Sequence, residues 1–392
     1  MIALDLSRLL SRACSATPSG IDRVEFAYAR HLIAGAAAYC FTARTALGQI
    51  GLLPSEAAGE FVARRAAMWQ DGAMEQDRRN IIALARKLRL AAVTGVPALR
   101  RKLRRAGGSA AYLVVSHQNL DRPYPIARLK TATGARFVVL IHDLIPIDFP
   151  RLTRPGQTHR HRQRITAASR LADAVIVNSA ATADALSKHL GPCRIPVAVA
   201  PLGIGLPGDD PIPPRADPPY FVCIGTIEAR KNQSLLLDIW TQLHTELGSR
   251  SPRLALIGQR GFGAEPIVKR IAALRNVVTE YTDLPDQATA RLLRGARALL
   301  LPSFAEGFGF PVAEALALGV PVLCSDLPAL RETGADCPDY LAPGDHDAWR
   351  RAIVDYATDT SRRQTQIARL VDWRAPRWSD HFAIAERLIA AL

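Results

Sequence analysis

Short, uninterrupted apolar runs alternate with helical patterns along almost the whole chain, and this restricts the fold more than any other feature. The runs are residues 2–6, 111–115, 137–141, 174–177 and 197–200, then, after a gap, 220–224, 254–257, 277–279, 298–301 and 320–324. Strands that are apolar on both faces and separated by helices belong in parallel sheets covered on both sides. The gap holds Pro207, Pro211, Pro213, Pro214, Pro218 and Pro219, too many for a helix or a central strand. The expectation is therefore an α/β chain with two doubly wound, Rossmann-like domains, 1–206 and 220–372. A stiff Pro-rich linker, 207–219, joins them, and a terminal helical segment, 373–392, packs back on the first. At 392 residues the chain is long enough for two cores.

In such sheets ligands sit at the carboxyl ends of strands, and with two domains the cleft between them is the default site. The richest carboxyl end is in residues 299–326, LLLPSFAEGFGFPVAEALALGVPVLCSD. A strand runs to Pro302, a loop to Phe310, and Pro311 opens a helix that Gly319 closes, the proper asymmetry for those residues. Gly307 and Gly309 let a ligand approach the backbone, and the helix start suits a phosphate. Glu314, read as lying in the first helical turn, is explained either by the helix dipole or by a ligand. Glu306, between a strand end and a Gly-x-Gly loop, has no structural duty visible in the sequence.

A second segment, YFVCIGTIEARKNQSLLL (220–237), ends a strand at Gly225 and carries Glu228, Arg230 and Lys231 before a helix that Asn232 begins. Adjacent cations at a helix start oppose its dipole. They read either as a solvated basic loop or as a phosphate grip, Arg as a planar fork and Lys as a point charge. The loop after Ile257, GQRGFG from Gly258, is a weaker nucleotide cue, since GxxGxG is not the dinucleotide fingerprint. In the first half, His142 follows a strand and either caps its end or faces the ligand. His159 and His161 read as a solvated basic helix face.

The net charge of +14 favours an anionic partner. It concentrates in residues 78–106, with ten Arg/Lys, no acid, and interleaved Ile81, Ile82, Leu84, Leu88, Leu90, Leu99 and Leu103. Two basic amphipathic helices broken near Gly95 and Pro97 fit this pattern. They serve as a solvated face or bind an anionic membrane surface; no nucleic-acid motif accompanies them, so nucleic acid is not expected. The six cysteines show no CxxC or zinc spacing and suit reduced thiols in a cytosol-facing protein. No uncharged apolar run reaches membrane-spanning length, and the amino end reads as a first strand, not a signal peptide.

PSFAEGFGFPVAEALALGVPVLCSD together with GTIEARKN resembles the retaining family-4 glycosyltransferases of the GT-B fold. Glu306, seven residues, then Glu314 matches that family's hallmark. Looser cues are Ser19-Gly20-Ile21-Asp22-Arg23-Val24 and His142-Asp143-Leu144-Ile145-Pro146, wording similar to bacterial surface-polysaccharide mannosyl- and rhamnosyltransferases. The resemblance implies a hexosyltransferase that takes mannose from GDP-mannose to a lipid-linked or polysaccharide acceptor at the inner face of the membrane. UDP-, dTDP- or GDP-deoxysugar donors, or a non-catalytic nucleotide-sugar binder, stand as alternatives. It further implies that Arg230 and Lys231 hold the diphosphate, and that Glu306 with Gly307, Phe308, Gly309 and Phe310 holds the sugar. Glu314 would take the ribose, His142 the donor sugar, and Gly20 with Ile21 the acceptor or phosphate side. Thr226, where many members carry Arg, and Gly258 complete the donor loops. No cofactor or metal is expected, because the basic pair can neutralise the leaving group. Paired carboxylates also suit a glycoside hydrolase, but a basic pair beside an anion-ready helix serves a diphosphate. A nicotinamide oxidoreductase is disfavoured because no GxGxxG follows a strand.

Overall fold

The computed structural model describes residues 1–190, 195–205 and 216–392. They divide into two units, Met1–Ile147 with Gly156–Leu202 and Trp378–Leu392, and Asp148–Pro155 with Gly203–Arg377. Residues 206–215 of the Pro-rich stretch lie outside the described residues.

Unit 1 is built on β1 (Ile2–Asp5), β2 (Tyr39–Arg44), β3 (Ile50–Leu52), β4 (Ala111–Val114), β5 (Arg136–Ile141), β6 (Ala174–Val177) and β7 (Val197–Val199). The strand order is β3-β2-β1-β4-β5-β6-β7, parallel except for the β2–β3 pair. Unit 2 carries β8 (Tyr220–Ile224), β9 (Arg253–Ile257), β10 (Val278–Tyr281), β11 (Leu299–Leu301), β12 (Val322–Ser325) and β13 (Asp339–Leu341), in the order β10-β9-β8-β11-β12-β13, all parallel. Both sheets are the doubly wound kind, and chain order reverses beside the first strand of each, at β1/β4 and at β8/β11.

Apolar runs arise because both faces are covered. In unit 2, Phe221, Cys223, Leu254, Leu256, Leu300 and Leu323 pack into one core with Trp240 and Trp349, while Val222, Ala255, Ile257, Leu299, Leu301 and Val322 pack into another with Val312 and Leu316. Burying each such side chain is worth about 1.5–3 kcal/mol. Three strands escaped the sequence reading. β2 mixes Thr42 and Arg44 into its run, while β3 and β13 have three residues each.

Helices of unit 1 include α1 (Ser7–Ser11), α2 (Gly20–Ala34), α3 (Ser55–Asp71), α4 (Glu75–Thr94), α5 (Val96–Ala106) and α6 (Tyr124–Thr133). The basic segment falls on α4 and α5, with the break at Gly95. Its apolar stripe faces inward: α4 buries Ile81, Ala85, Leu88 and Ala92, and α5 buries Val96, Leu99 and Leu103. These buried side chains are therefore not available to a bilayer, while Leu90 stays exposed among the cations. The terminal helix, Trp378–Ala390, belongs to unit 1. His381 is fully buried there, its Nδ1–H donating to the Ala200 carbonyl (3.0 Å) while its Nε2 accepts from the Tyr28 hydroxyl (2.8 Å). Phe382 stacks on His31 of α2, with ring centroids 3.8 Å apart.

At the β1/β4 reversal, Asp5 and Glu25 are buried together. Asp5 accepts from the Ser7 N–H (2.9 Å) and the Tyr112 hydroxyl (2.8 Å), and Glu25 accepts from the Leu9 N–H (2.9 Å). Burial, reinforced by the Asp5 charge, lifts the Glu25 carboxyl from its ordinary 4.5 to about 8, with Arg8 pulling the other way. The folded chain therefore holds a proton on Glu25 that the unfolded chain has released above pH 4.5. Its contribution to stability is complete below that pH and is lost as pH rises towards 8. Glu25→Gln should flatten this slope. Between pH 6 and 9 the wild type loses on the order of a few kcal/mol more than the variant, as read from urea unfolding at each pH.

Candidate active site

In unit 2 the loops after β8 and β11, the two strands at the reversal, meet. The first tightens into a 3₁₀ turn, Ala229–Lys231, before Asn232 enters a left-handed conformation and opens the helix Gln233–Leu247. Asn232 straps the loops together, its side-chain amide donating to the Pro302 carbonyl (3.1 Å) and the Pro343 carbonyl (2.9 Å). Gln233 donates to the Thr226 carbonyl (3.0 Å), fixing the start of the same loop.

This brings three of the singled-out side chains into one cluster. Lys231 Nζ donates to Glu306 Oε1 at 2.5 Å, and the Ser303 hydroxyl donates to the same oxygen at 2.7 Å. Arg230 donates to the Ala305 carbonyl (2.8 Å), to Glu228 Oε1 (2.8 Å) and, at 3.5 Å, to Glu306 Oε2. The Glu306 and Lys231 side chains are only 8% and 9% exposed. Burial alone would raise the Glu306 carboxyl, but Lys231 and then Arg230 reverse this and hold it below the ordinary value, so Glu306 is a carboxylate. Arg230 and Lys231 are thus not an uncompensated basic pair. Glu228, overlooked as a partner in the sequence, and Glu306 balance them, and the four charges sum to zero.

Gly258 ends β9 against β8: a Cβ there would stand 2.1 Å from the Gly225 carbonyl oxygen, at a φ of +154°. Its glycine is required by strand packing whether or not a nucleotide passes. Gly309 caps the helix Phe310–Ala317 with φ +95°, and a Cβ would meet Leu330 Cδ2 at 2.4 Å. That helix starts one residue earlier than read, with Pro311 second, so Glu314 lies in its second turn and is buried. The dipole explanation of Glu314 fades with that distance. Phe308 is buried, edge to face with Phe310 at 5.3 Å, and its carbonyl accepts from the Thr333 hydroxyl. Gly307 sits between Glu306 and this aromatic pair in the same loop.

The remaining candidates belong to unit 1. Gly20 is exposed and opens α2 between the capping pair Ser19 and Asp22 (Ser19 N–H to Asp22 Oδ2, 2.8 Å), with Ile21 half-buried behind it. Arg8 (2.7 Å) and Arg12 (2.8 Å) pair with Asp22 and outweigh its burial, so its carboxyl is lowered. His142, beyond β5, is buried. Its Nε2–H donates to the Val115 carbonyl (2.8 Å), its backbone N–H donates to His117 Nε2 (3.0 Å), and its own carbonyl accepts from Asn178 (3.0 Å). Burial pushes the His142 ring down to about 4, so it is neutral at physiological pH. His161 is not solvated as expected. It is 1% exposed, with Nε2–H donating to the Asp143 carbonyl (3.0 Å). Its spacing with Ile165 and Ala168, one helix face, was the available signal. His159 stays exposed. Among the described residues no three His, Cys, Asp or Glu side chains gather as metal ligands.

Two family models match: Glycosyltransferase Family 4 over residues 64–206 and Glycosyl transferases group 1 over residues 218–359. Between them they cover most of the chain, which belongs to this glycosyltransferase family. The chain is 36% identical over 152 residues to O-antigen chain mannosyltransferase B of Escherichia coli, covering 38% of this chain and 40% of that protein. It is 25% identical over 239 residues to the serotype-specific mannosyltransferase WbdA of Escherichia coli, covering 55% of this chain and 29% of that one. The chain thus spans less than half the length of these relatives. Among solved structures it resembles sucrose-phosphate synthase from Thermosynechococcus elongatus (TM-score 0.67, 17% identity, covering 100% of this chain and 99% of that one). It also resembles Anabaena HepE in complex with UDP-glucose (TM-score 0.66, 16% identity, with the same coverage). These likenesses establish the GT-B fold.

The Lys231–Glu306 pair generates a stability test. Lys231→Ala strands a buried carboxylate and should cost about 3–5 kcal/mol. Lys231→Ala with Glu306→Ala removes both charges and should cost clearly less than the two single changes added together. Urea unfolding of the three variants reads the coupling.

Proposed function

We propose that this chain is a retaining hexosyltransferase. In this reading it moves mannose from GDP-mannose to a lipid-linked or polysaccharide acceptor in cell-surface glycan synthesis, on the cytosolic, inner face of the membrane. The observation that carries the reading is the buried Glu306–Lys231–Arg230 cluster at the β8/β11 reversal, where a doubly wound sheet receives its ligand. The mannosyltransferase relatives favour mannose, and among the described residues no helix is long and apolar enough to cross a membrane.

The chemistry asks for charge stabilisation where the bond from the anomeric carbon to the diphosphate breaks. Arg230 and Lys231 meet the departing diphosphate, which gains negative charge, while Glu306 accepts from the sugar hydroxyls and keeps the cations in place. The acceptor oxygen bonds to the anomeric carbon on the face the diphosphate leaves, and its proton passes to a departing phosphate oxygen. In this reading no covalent sugar–Glu306 adduct forms and no metal takes part. Glu314 receives the ribose, with Thr226, Gly258 and the 307–310 loop around the donor. His142, neutral and with its Nε2–H given to the Val115 carbonyl, accepts a hydrogen bond from a donor-sugar hydroxyl at Nδ1, and Gly20 and Ile21 serve the acceptor side.

A thermal-shift panel of GDP-, UDP- and dTDP-sugars, followed by product analysis with the best binder, tests this. GDP-mannose should stabilise the chain most and yield an α-mannoside with GDP. Glu306→Gln, close in shape, should slow acceptor-dependent nucleotide release about 10²–10³-fold, the usual cost of one aimed charge-stabilising group. Unchanged release in Glu306→Gln would refute the reading, and a stronger shift with a UDP-sugar would reassign the donor.

A further inference from the structure

Beside the basic helices, unit 1 contains a recess of about 120 Å³ between the 47–50 turn, α5 and the first half of α6. Leu47, Gln49, Arg100, Tyr124, Pro125 and Arg128 are among its lining residues. Arg100 and Arg128 both face it, and neither has a carboxylate or carbonyl partner among the described residues. The contrast with the next turn is informative: four residues on along both helices, Arg104 Nε donates to the Ala132 carbonyl at 2.7 Å. The α5–α6 seam therefore closes at one end, and at the other half-buried Arg100 and exposed Arg128 border the same hollow. No acid lines that hollow. Like charges so placed repel unless an anion enters.

The surroundings narrow the anion's source. Arg86, Lys87, Arg89, Arg101, Lys102 and Arg105 are exposed on α4 and α5, and residues 78–106 contain no acid. Leu47 (84% exposed) and Tyr124 (72%) stand on the rim, an apolar and an amphipathic side chain with no protein cover. Paired guanidinium forks match a phosphate, and Tyr and Leu at a rim suit headgroup depth. Single-stranded nucleic acid would ask for a track of stacking aromatics, of which the recess has only Tyr124.

We propose that this recess binds the phosphodiester headgroup of an anionic lipid and docks unit 1 on an anionic bilayer. The docking is by charge and one seated headgroup, not by insertion of α4 or α5, whose apolar faces the core has taken. This deepens the proposed function, which places the enzyme at a membrane, and rests on that reading for its purpose.

The test uses the full chain with no donor or acceptor, so it is independent of sugar transfer. Co-sedimentation is measured with phosphatidylglycerol/phosphatidylethanolamine vesicles and with phosphatidylcholine vesicles. Binding to the first only is expected, falling in Arg100→Gln/Arg128→Gln by several-fold more than the roughly 20–30-fold, about fivefold per cation, that two diffuse surface cations give. The charge-matched Arg86→Gln/Lys87→Gln, outside the recess, should lose several-fold less. Leu47→Asp, an exposed rim change that leaves the seam intact, should also weaken binding and guards against misfolding of the double variant. Equal losses in both charge-matched pairs, equal binding to phosphatidylcholine, or retention of an RNA oligonucleotide without vesicle binding would each overturn the proposal. Lost vesicle binding with intact GDP release in solution would sink the docking site alone; intact binding without transfer would sink the proposed function alone.

Discussion

The contact on which the second unit's chemistry depends is the one between Lys231 and Glu306. Its partners are 75 residues apart in the chain and meet because β8 and β11 are neighbours whose connections leave in opposite directions. A buried ion pair is a poor way to stabilise a fold. Desolvating both charges consumes much of what their attraction returns, and apolar residues of similar volume would serve as well. The local structure is consistent with that cost being met by design. Ser303 supplies a further hydrogen bond to the carboxylate, Arg230 a second cation, and Asn232 ties the two loops by their carbonyls. Charges held this firmly, at the place where such sheets receive ligands, are better accounted for by chemistry than by stability.

The first unit has the same winding and treats its own reversal only partly in the same way. There Asp22 is a buried carboxylate paired with Arg8 and Arg12, while other buried groups are kept uncharged. Glu25 is raised into its protonated form beside Asp5, and the His142 and His117 rings are lowered by burial. The hydrogen bonds agree with this, because His117 Nε2 accepts a backbone N–H and must carry a lone pair. Unit 2 thus gathers compensated ions at its reversal, and unit 1 sets the compensated Asp22 beside protonated Glu25 and neutral imidazoles.

How much of this is legible in the sequence follows from how local each feature is. The central strands are readable because sheets covered on both faces need continuous apolar runs. β2, β3 and β13 are not, because Arg44 and Thr42 dilute one run and the other two are three residues long. Glu306 stands out locally, as an acid between a strand and a glycine loop, but its partner does not. Arg230 and Lys231 look like free cations until the β8/β11 adjacency supplies the carboxylates. His161 was hidden by the arginines around it, although its spacing to Ile165 marks an inward face. In α4 and α5 the leucines were visible but their direction was not, since amphipathic periodicity gives the stripe and not which surface covers it.

That ambiguity has a physical consequence for the unit's outer surface. Once the sheet takes Leu88, Leu99 and Leu103, what remains outside is a dense array of cations with few carboxylates in reach. Self-repulsion of this kind opposes folding, and salt weakens it only beyond about 8–10 Å. A chain needing solubility alone could spread its charges or interleave acids, as unit 2 does with Arg260–Glu280, Arg331–Asp326 and Arg350–Glu246. The absence of acids from 78–106 therefore points outward, to an anionic surface large enough to oppose many cations at once. In the Arg100–Arg128 recess two cations, a cavity and uncovered apolar side chains coincide. In the proposed docking it would turn a diffuse attraction into a defined orientation for the unit that carries Gly20 and His142.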